Sequence, residues 1–231
     1  MSKATKEAPK AETLENIESA LSKTEIFILE NKKSLSIILG GVILAIGLYI
    51  GFNKLYLEPL GTEAQAQMFV AEQHFEKDSF NLALNGDGSN MGFLAITDEY
   101  SITPSGNLAK YYAGVCYLHL GQFEEAIEML KSFDGTDKMV SNIALGAIGD
   151  AYSELENSEE AINYYLKAAN NVINDFSTPL YLFRAGVLYE QSNQPEKALA
   201  LYNRIRNEFP SSAEGRNMEK YIARLDALSA K

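Results

Sequence analysis

Residues 34–52 read SLSIILGGVILAIGLYIGF and form the longest apolar stretch of the chain, with no charged side chain among 19 residues. A helix that crosses the hydrocarbon core of a bilayer needs about 20 apolar residues. A buried helix of a soluble protein is the alternative, but such helices usually keep a polar face. We therefore predict a transmembrane helix over residues 34–57. Its Gly47 and Gly51 form a GxxxG pair, which predicts a face that packs against another membrane helix.

The segment before this stretch has a weaker pattern. Leu14, Ile17 and Leu21 recur at helical spacing and predict an amphipathic cytosolic helix over residues 13–33. The polar residues 1–12 are expected to be a disordered tail.

Basic residues flank the apolar stretch unequally. Lys23, Lys32 and Lys33 precede it, whereas only Lys54 follows it closely. Because basic flanks stay in the cytoplasm, we expect a cytoplasmic N-terminus and residues 58–231 on the opposite side of the membrane. The long preceding segment and the lack of a small-residue cleavage motif favour an uncleaved anchor over a signal peptide.

Small and aromatic residues recur after the apolar stretch. In each unit a small residue is followed three positions later by an aromatic residue and nine positions after that by alanine. The small residue lets two helices approach closely, and stacked hairpins bury apolar faces that a single hairpin leaves exposed. The three clear units contain Gly114, Tyr117 and Ala126, then Gly149, Tyr152 and Ala161, then Gly186, Tyr189 and Ala198.

This pattern resembles the tetratricopeptide repeat (TPR), a helical hairpin with a period of 34 residues. The resemblance covers about residues 62–210. A weaker first unit is found by the same spacing at Ala71, His74 and Ala83, where His74 takes the aromatic position and is expected to pack in the core.

The first unit carries an insertion of sequence NGDGSN at residues 85–90. Gly86 and Gly88 are expected to break its second helix, and Ser89 or Asn90 to cap the helix when it resumes.

A different pattern follows the last repeat. After Pro210, the capping box of Ser211 and Glu214 predicts a capping helix over residues 211–231.

The predicted fold is therefore all-α. A single transmembrane helix is followed by a TPR-type α-solenoid of about four helical hairpins over residues 58–210 and by the C-terminal capping helix. No strand-like alternation of apolar and polar residues is found in this part of the chain.

The composition of the chain excludes several classes of function. The net charge of −11 argues against a general nucleic-acid-binding protein, which needs a basic surface. A single cysteine and two histidines leave little for a metal centre or a nucleophilic site, and no phosphate-binding loop motif occurs. Cys116 and His119 share a helix face, but we expect a buried structural thiol. We predict a protein that is not an enzyme, with no cofactor, no metal and no small-molecule substrate.

The TPR resemblance also implies a superhelix whose concave face is lined by the first helix of each hairpin. Those positions are apolar and aromatic with interspersed acids, so an extended or helical peptide of basic character is the expected ligand. A C-terminal carboxylate is not expected, because acids stand where carboxylate-binding repeats carry Lys, Arg and Asn. The positions are Met68, Glu72, Phe75, Leu108, Tyr111, Val115, Leu118, Asp150, Ser153, Glu154, Phe183, Val187 and Glu190.

The order of cytosolic segment, anchor and repeats resembles bacterial inner-membrane TPR proteins that accompany the Sec translocon. The resemblance implies a single-pass inner-membrane protein with a periplasmic repeat domain. Its implied partners are translocon subunits, periplasmic chaperones or unfolded exported segments. Two alternatives stay open, namely an adaptor for another cell-envelope complex and an enzyme with an unrecognised site.

Overall fold

The computed structural model describes residues 26–135 and 137–229. Within these ranges it contains eleven α-helices and no strand, which confirms the all-α prediction. The chain divides into two compact units between Glu58 and Pro59. The predicted tail at residues 1–12 and most of the predicted helix at residues 13–33 lie outside the described residues.

The first unit contains helix α1 (Lys32–Phe52) and a π-helical turn (Asn53–Leu57). In the described part of the chain, one helix is long and apolar enough to cross a membrane, and α1 belongs to it. None of the residues of α1 is buried within the protein. The Cβ positions of Gly47 and Gly51 have no neighbouring atom within 4 Å, so their packing against another helix stays a prediction.

The second unit is a series of helices joined by short connections. Helix α5 packs on α6, α7 on α8, and α9 on α10, and each pair is a hairpin. The last helix, α11, packs against α10. This arrangement is consistent with an α-solenoid. The helices are α2 (Glu58–Glu76), α3 (Phe80–Asn85), α4 (Phe93–Glu99), α5 (Pro104–His119), α6 (Phe123–Ser132), α7 (Lys138–Glu154), α8 (Ser158–Asn171), α9 (Ser177–Gln191), α10 (Pro195–Glu208) and α11 (Met218–Ser229).

Side-chain caps start several of these helices. The Thr103 hydroxyl accepts a hydrogen bond from the Gly106 amide before α5, where Pro104 occupies the first helical position. Asp137 caps α7 and Asn157 caps α8 in the same way. Each cap satisfies amide groups that have no partner within the helix.

The turn inside each hairpin also repeats. One residue of each turn has a φ between 55° and 75° and lies seven positions after the small residue of its unit. The left-handed conformation ends the first helix and redirects the chain into the second. Only one of the four is glycine, so the turn is set by position more than by residue type. They are Asp78, Gly121, Glu156 and Asn193.

The small residues lie where the two helices of a hairpin are closest. A Cβ atom added at any of three glycines would come within 2.6 Å of a large side chain on the second helix. Real Cβ atoms do not approach other atoms so closely, so the contact requires glycine. The pairs are Gly114 with Leu130, Gly149 with Tyr165, and Gly186 with Tyr202.

Three apolar clusters form the core, and each joins neighbouring helices. The first holds side chains of α2, α3, α4 and α5, the second those of α6 and α7, and the third those of α8 to α11. All three clusters therefore combine helices of successive hairpins, and the second consists of one helix from each of two hairpins. Each hairpin depends on its neighbour to bury its apolar surface.

The insertion divides the second helix of the first hairpin into α3 and α4, as predicted. Gly86 and Gly88 both have positive φ, of 87° and 86°. The predicted caps are wrong, because Gly92 precedes α4 and no side chain caps it. Ser89 and Asn90 instead donate their backbone N–H groups to the Asp87 carboxylate.

The end of the chain also differs from the expectation. Ser212, rather than Ser211, accepts the local hydrogen bond, from the Gly215 amide at 2.9 Å. A short 3₁₀ turn follows, and α11 begins at Met218. The capping box of Ser211 and Glu214 is therefore not formed, because the chain makes a turn of its own before the helix starts.

We predict that Gly149→Ala destabilises the second unit by about 1–2 kcal/mol. The new methyl group would lie 2.6 Å from Cδ1 of Tyr165, and such overpacking outweighs the better helix propensity of alanine. Urea unfolding of the full chain in detergent micelles, followed by circular dichroism, measures the change.

Gly61→Ala is the matched control, because the Cβ position of Gly61 in α2 has no neighbour within 4 Å. It should stabilise the protein by about 0.5–1 kcal/mol. Equal effects of the two substitutions would contradict the proposed helix contact.

Candidate functional site

The first helices of three hairpins, α5, α7 and α9, line neighbouring clefts of the second unit together with α11. We call this surface the first-helix face. Three clefts lie on it, with volumes of about 500, 330 and 330 Å³. Arg184 of α9 lines all three clefts, so they meet at this side chain.

Arg184 is held by three side chains, from α7, α8 and α9. Its guanidinium forms an ion pair with the Asp150 carboxylate of α7. The same carboxylate accepts a hydrogen bond of 2.7 Å from the Tyr165 hydroxyl. The guanidinium also lies 5.9 and 5.8 Å from the ring centres of Tyr165 and Tyr181. These contacts fix a charged side chain in one position among three clefts.

The electrostatics of this cluster favour the charged arginine. Burial disfavours the charged form of Arg184. The attraction and hydrogen bond of the Asp150 carboxylate favour that form more strongly, so the pKa of Arg184 is raised. Burial, followed by the charge of Asp150, raises the pKa of the Tyr181 hydroxyl to about 12. Burial also raises the pKa of Tyr165, with Asp150 as the next cause. Both phenols stay neutral hydrogen-bond donors at ordinary pH.

A similar cluster lies one hairpin further along. The Glu190 carboxylate accepts hydrogen bonds of 2.7 and 2.6 Å from Arg224 of α11 and one of 2.6 Å from the Tyr202 hydroxyl. The Tyr202 ring packs against Phe183 and Tyr221, with ring centres 5.9 and 5.7 Å apart. Each acid is thus bound by a tyrosine of its own hairpin and an arginine of the next helix of the face.

Asp150 and Glu190 are among the predicted ligand-binding positions, whereas their arginine partners were not predicted. A signal was present, because Asp150 and Arg184 are 34 residues apart, as are Glu190 and Arg224. That separation is the period of the repeat. It follows that two of the acidic positions are neutralised within the protein.

Several predicted positions do come together in the clefts. Leu118, Asp150, Ser153 and Glu154 line the largest cleft with Arg184. Ser153 also lines a neighbouring cleft of about 330 Å³. Two more of the predicted residues, Phe183 and Val187, line that cleft as well.

The positions closer to the first hairpin lie outside these three clefts. Phe75, Leu108, Tyr111 and Val115 are half-buried side chains packed at the edges of the first and second core clusters. Tyr111 lies 5.8 Å from Phe133 between ring centres. These residues offer part of their surface to a ligand and part to the core.

The prediction that Met68 lines the binding surface is wrong. It is 3% exposed and belongs to the first core cluster. Met68 lies four residues after Ala64 and three before Ala71, both of which are fully buried. This spacing puts it on the face of α2 that packs inward, so it is not available to a partner.

Other chemically interesting residues have structural surroundings. Cys116 is fully buried, as predicted, and burial raises its pKa to about 12. The His119 ring stacks on Phe80 at 4.1 Å between centres. His74 was expected to pack in the core. Its side chain is instead 22% exposed, and its Nε2 lies 3.5 Å from the Asp87 carboxylate. Over the described residues, no group of three or more His, Cys, Asp or Glu could hold a metal ion.

Models of the tetratricopeptide repeat match three segments of the chain. They match residues 108–133, 144–170 and 181–212. These segments correspond to the hairpins α5–α6, α7–α8 and α9–α10. The chain therefore contains tetratricopeptide repeats, and these units generally bind proteins. None of the curated proteins matches the chain.

We predict that Arg184→Met destabilises the second unit by about 1–2 kcal/mol, because Asp150 keeps only one of its two partners. The free energy of unfolding of the double variant Arg184→Met/Asp150→Asn should fall by less than the sum of the decreases in the two single variants. Urea unfolding of the full chain in micelles measures both. Arg206→Met is the control, since its exposed pair with Glu219 is 3.7 Å long and should contribute little. Equal costs for the two arginines would contradict the role of Arg184.

The surroundings of Glu72 predict that the free energy of unfolding depends on pH. Burial, followed by repulsion from Glu76, raises its pKa above 4.5. The folded state therefore favours the protonated acid, and this contribution is lost as pH rises through the folded pKa. Glu72→Gln should raise the free energy of unfolding at pH 7, with the gain disappearing near pH 4. Asp226→Asn, at an exposed acid of α11, should not reproduce this profile; a pH-independent gain would contradict the assignment.

Proposed function

We propose that this chain is a membrane-anchored scaffold whose tetratricopeptide repeats bind a segment of a partner protein on the first-helix face. The observation that carries the proposal is the run of three clefts that meet at Arg184. The ion pair of Arg184 with Asp150 is already formed there, and the rings of Phe183 and Tyr221 are packed in place. A surface organised in this way loses little freedom on binding, which favours affinity.

The lining of the clefts indicates the kind of segment. Leu118, Phe183 and Val187 provide apolar contact, and the clefts follow α5, α7, α9 and α11. An extended or helical segment with regularly spaced apolar side chains fits such a surface. Glu154 lines the largest cleft and forms no ion pair among the described residues. It favours a segment with a basic residue beside its apolar ones.

We place the protein in the bacterial inner membrane, with a cytoplasmic N-terminus and a periplasmic repeat unit. The uncovered apolar helix α1 supports a membrane location. The lysines before it support the orientation. The resemblance in architecture to proteins that accompany the Sec translocon supports a chaperone-like role there. Translocon subunits, periplasmic chaperones or unfolded exported segments would be its partners.

The test is site-specific photo-crosslinking of the full chain in its membrane. A photoreactive amino acid replaces Tyr111 or Phe183 on the first-helix face, or Gly47 in α1. Lys77, an exposed residue between α2 and α3, is the control position. We expect translocon subunits, periplasmic chaperones or exported chains at Tyr111 and Phe183, and none of these at Lys77.

Three results would contradict parts of the proposal. Equal crosslinking at Lys77 and at the two aromatic positions would remove the first-helix face as the binding surface. Only cytoplasmic partners would overturn the orientation. Subunits of a different envelope complex would replace the translocon assignment with an adaptor role while keeping the scaffold.

A further inference from the structure

Two lysines of the second helices lie around the same tyrosine. Lys131 of α6 and Lys167 of α8 place their Nζ atoms 5.4 and 4.4 Å from the ring centre of Tyr164. Lys131 also donates a hydrogen bond of 2.8 Å to the Tyr152 hydroxyl. The rings of Tyr152 and Tyr164 stack, with centres 5.5 Å apart. Two ammonium groups are therefore held near one aromatic pair on the protein surface.

These side chains border a cleft of about 290 Å³ between α6 and α8, which we call the lysine cleft. Helix α7 provides its floor. Leu145 and Ile148 of α7 and Leu130 of α6 line the cleft, and Leu130 and Ile148 are almost fully buried. The lysine cleft thus combines an apolar floor with a cationic rim.

Neither ammonium group is neutralised within the described part of the protein. The five ion pairs of that part involve other residues. The hydrogen bond to Tyr152 is the main cause of a raised pKa of Lys131, so its charge persists at any ordinary pH. With Tyr152 and Tyr164 as its hydrogen-bond partners, the ammonium group of Lys131 still has one of its three donors left for a ligand.

The lysine cleft is not a general feature of the repeats. The position that corresponds to Lys131 one hairpin later, 35 residues along, is Leu166. A different cleft between α8 and α10, of about 430 Å³, has Glu159 as well as Lys197 in its lining. Its charges are mixed, whereas the lysine cleft is lined by two lysines and no acid. In a chain of net charge −11, such a local excess of positive charge favours an anionic ligand.

We propose that the lysine cleft binds an acidic segment of a second partner protein, with a carboxylate between Lys131 and Lys167 and a neighbouring aliphatic side chain on the floor. The cleft has room for about one or two side chains, and its apolar floor matches an amphipathic peptide better than a free anion. No arginine lines the cleft to grip a phosphate bidentately. The lysine cleft shares no lining residue with the three clefts of the first-helix face, so this inference does not depend on the proposed function.

The test uses fluorescein-labelled peptides and the full chain in zwitterionic detergent micelles. One peptide carries the sequence Leu-Glu-Leu-Glu-Leu-Glu between Gly-Ser flanks, and its twin carries Gln in place of each Glu. Fluorescence anisotropy measures binding, with empty micelles as the blank. We expect saturable binding of the acidic peptide, weakened by salt, and at least tenfold weaker binding of the twin.

The variant Lys131→Gln/Lys167→Gln should weaken binding of the acidic peptide by roughly tenfold, since two exposed pairs are lost. Lys131→Arg/Lys167→Arg keeps the charge and should retain most of the affinity. Lys77→Gln/Lys220→Gln makes the same change in net charge elsewhere and should bind as the unaltered chain does. Thermal unfolding verifies that each variant is folded.

Three outcomes would overturn the proposal. The first is equal binding of the acidic peptide and its twin. The second is unchanged affinity in Lys131→Gln/Lys167→Gln. The third is displacement of the peptide by equal concentrations of inorganic phosphate or by phosphatidylglycerol vesicles, which would assign the lysine cleft to a phosphate group instead.

Discussion

The close approach of two helices at one glycine in each clear hairpin is the contact on which the second unit depends. At Gly149 the Tyr165 ring occupies the space that any side chain would need. The ring is in turn fixed by its hydrogen bond to Asp150, so it cannot move aside. This contact sets the spacing of small and large residues along the chain, and it explains why the spacing recurs with the period of a hairpin.

The same contact organises the surface. Tyr165 and Tyr202 reach from a second helix past the glycine of the first helix, and their hydroxyls bind the acids of the first-helix face. Those acids are then within reach of an arginine in the next helix of the face, Arg184 of α9 or Arg224 of α11. Packing inside a hairpin and ion pairing to the following helix are thus parts of one arrangement. Asp150 and Glu190 are therefore neutralised and fixed in position before any partner arrives.

The sequence was sufficient for the features that depend on local periodicity. The helical class, the break at Gly86 and the buried Cys116 were predicted because each leaves a signal in adjacent residues. The misplacement of Met68 has a simple cause, since a position carried over from a family pattern ignores the inward-facing side of α2 set by Ala64 and Ala71. The role of Arg184 was missed because side-chain reach between hairpins is not a local property. The predicted cap of α4 was wrong because the inserted loop folds around Asp87, which accepts the amides of Ser89 and Asn90, and α4 begins only after Gly92.

The division of the core between neighbouring hairpins has a consequence for biosynthesis. The apolar cluster of α2, α3 and α4 is completed by Ala109, Ala113 and Cys116 of α5, which the ribosome adds later. At about 5–20 residues per second, the first hairpin waits for seconds with part of its apolar surface exposed. Assembly from the N-terminus therefore proceeds by successive docking, in which each new hairpin covers the one before it. The earliest part of the repeat unit is the one most in need of protection while the chain is still growing.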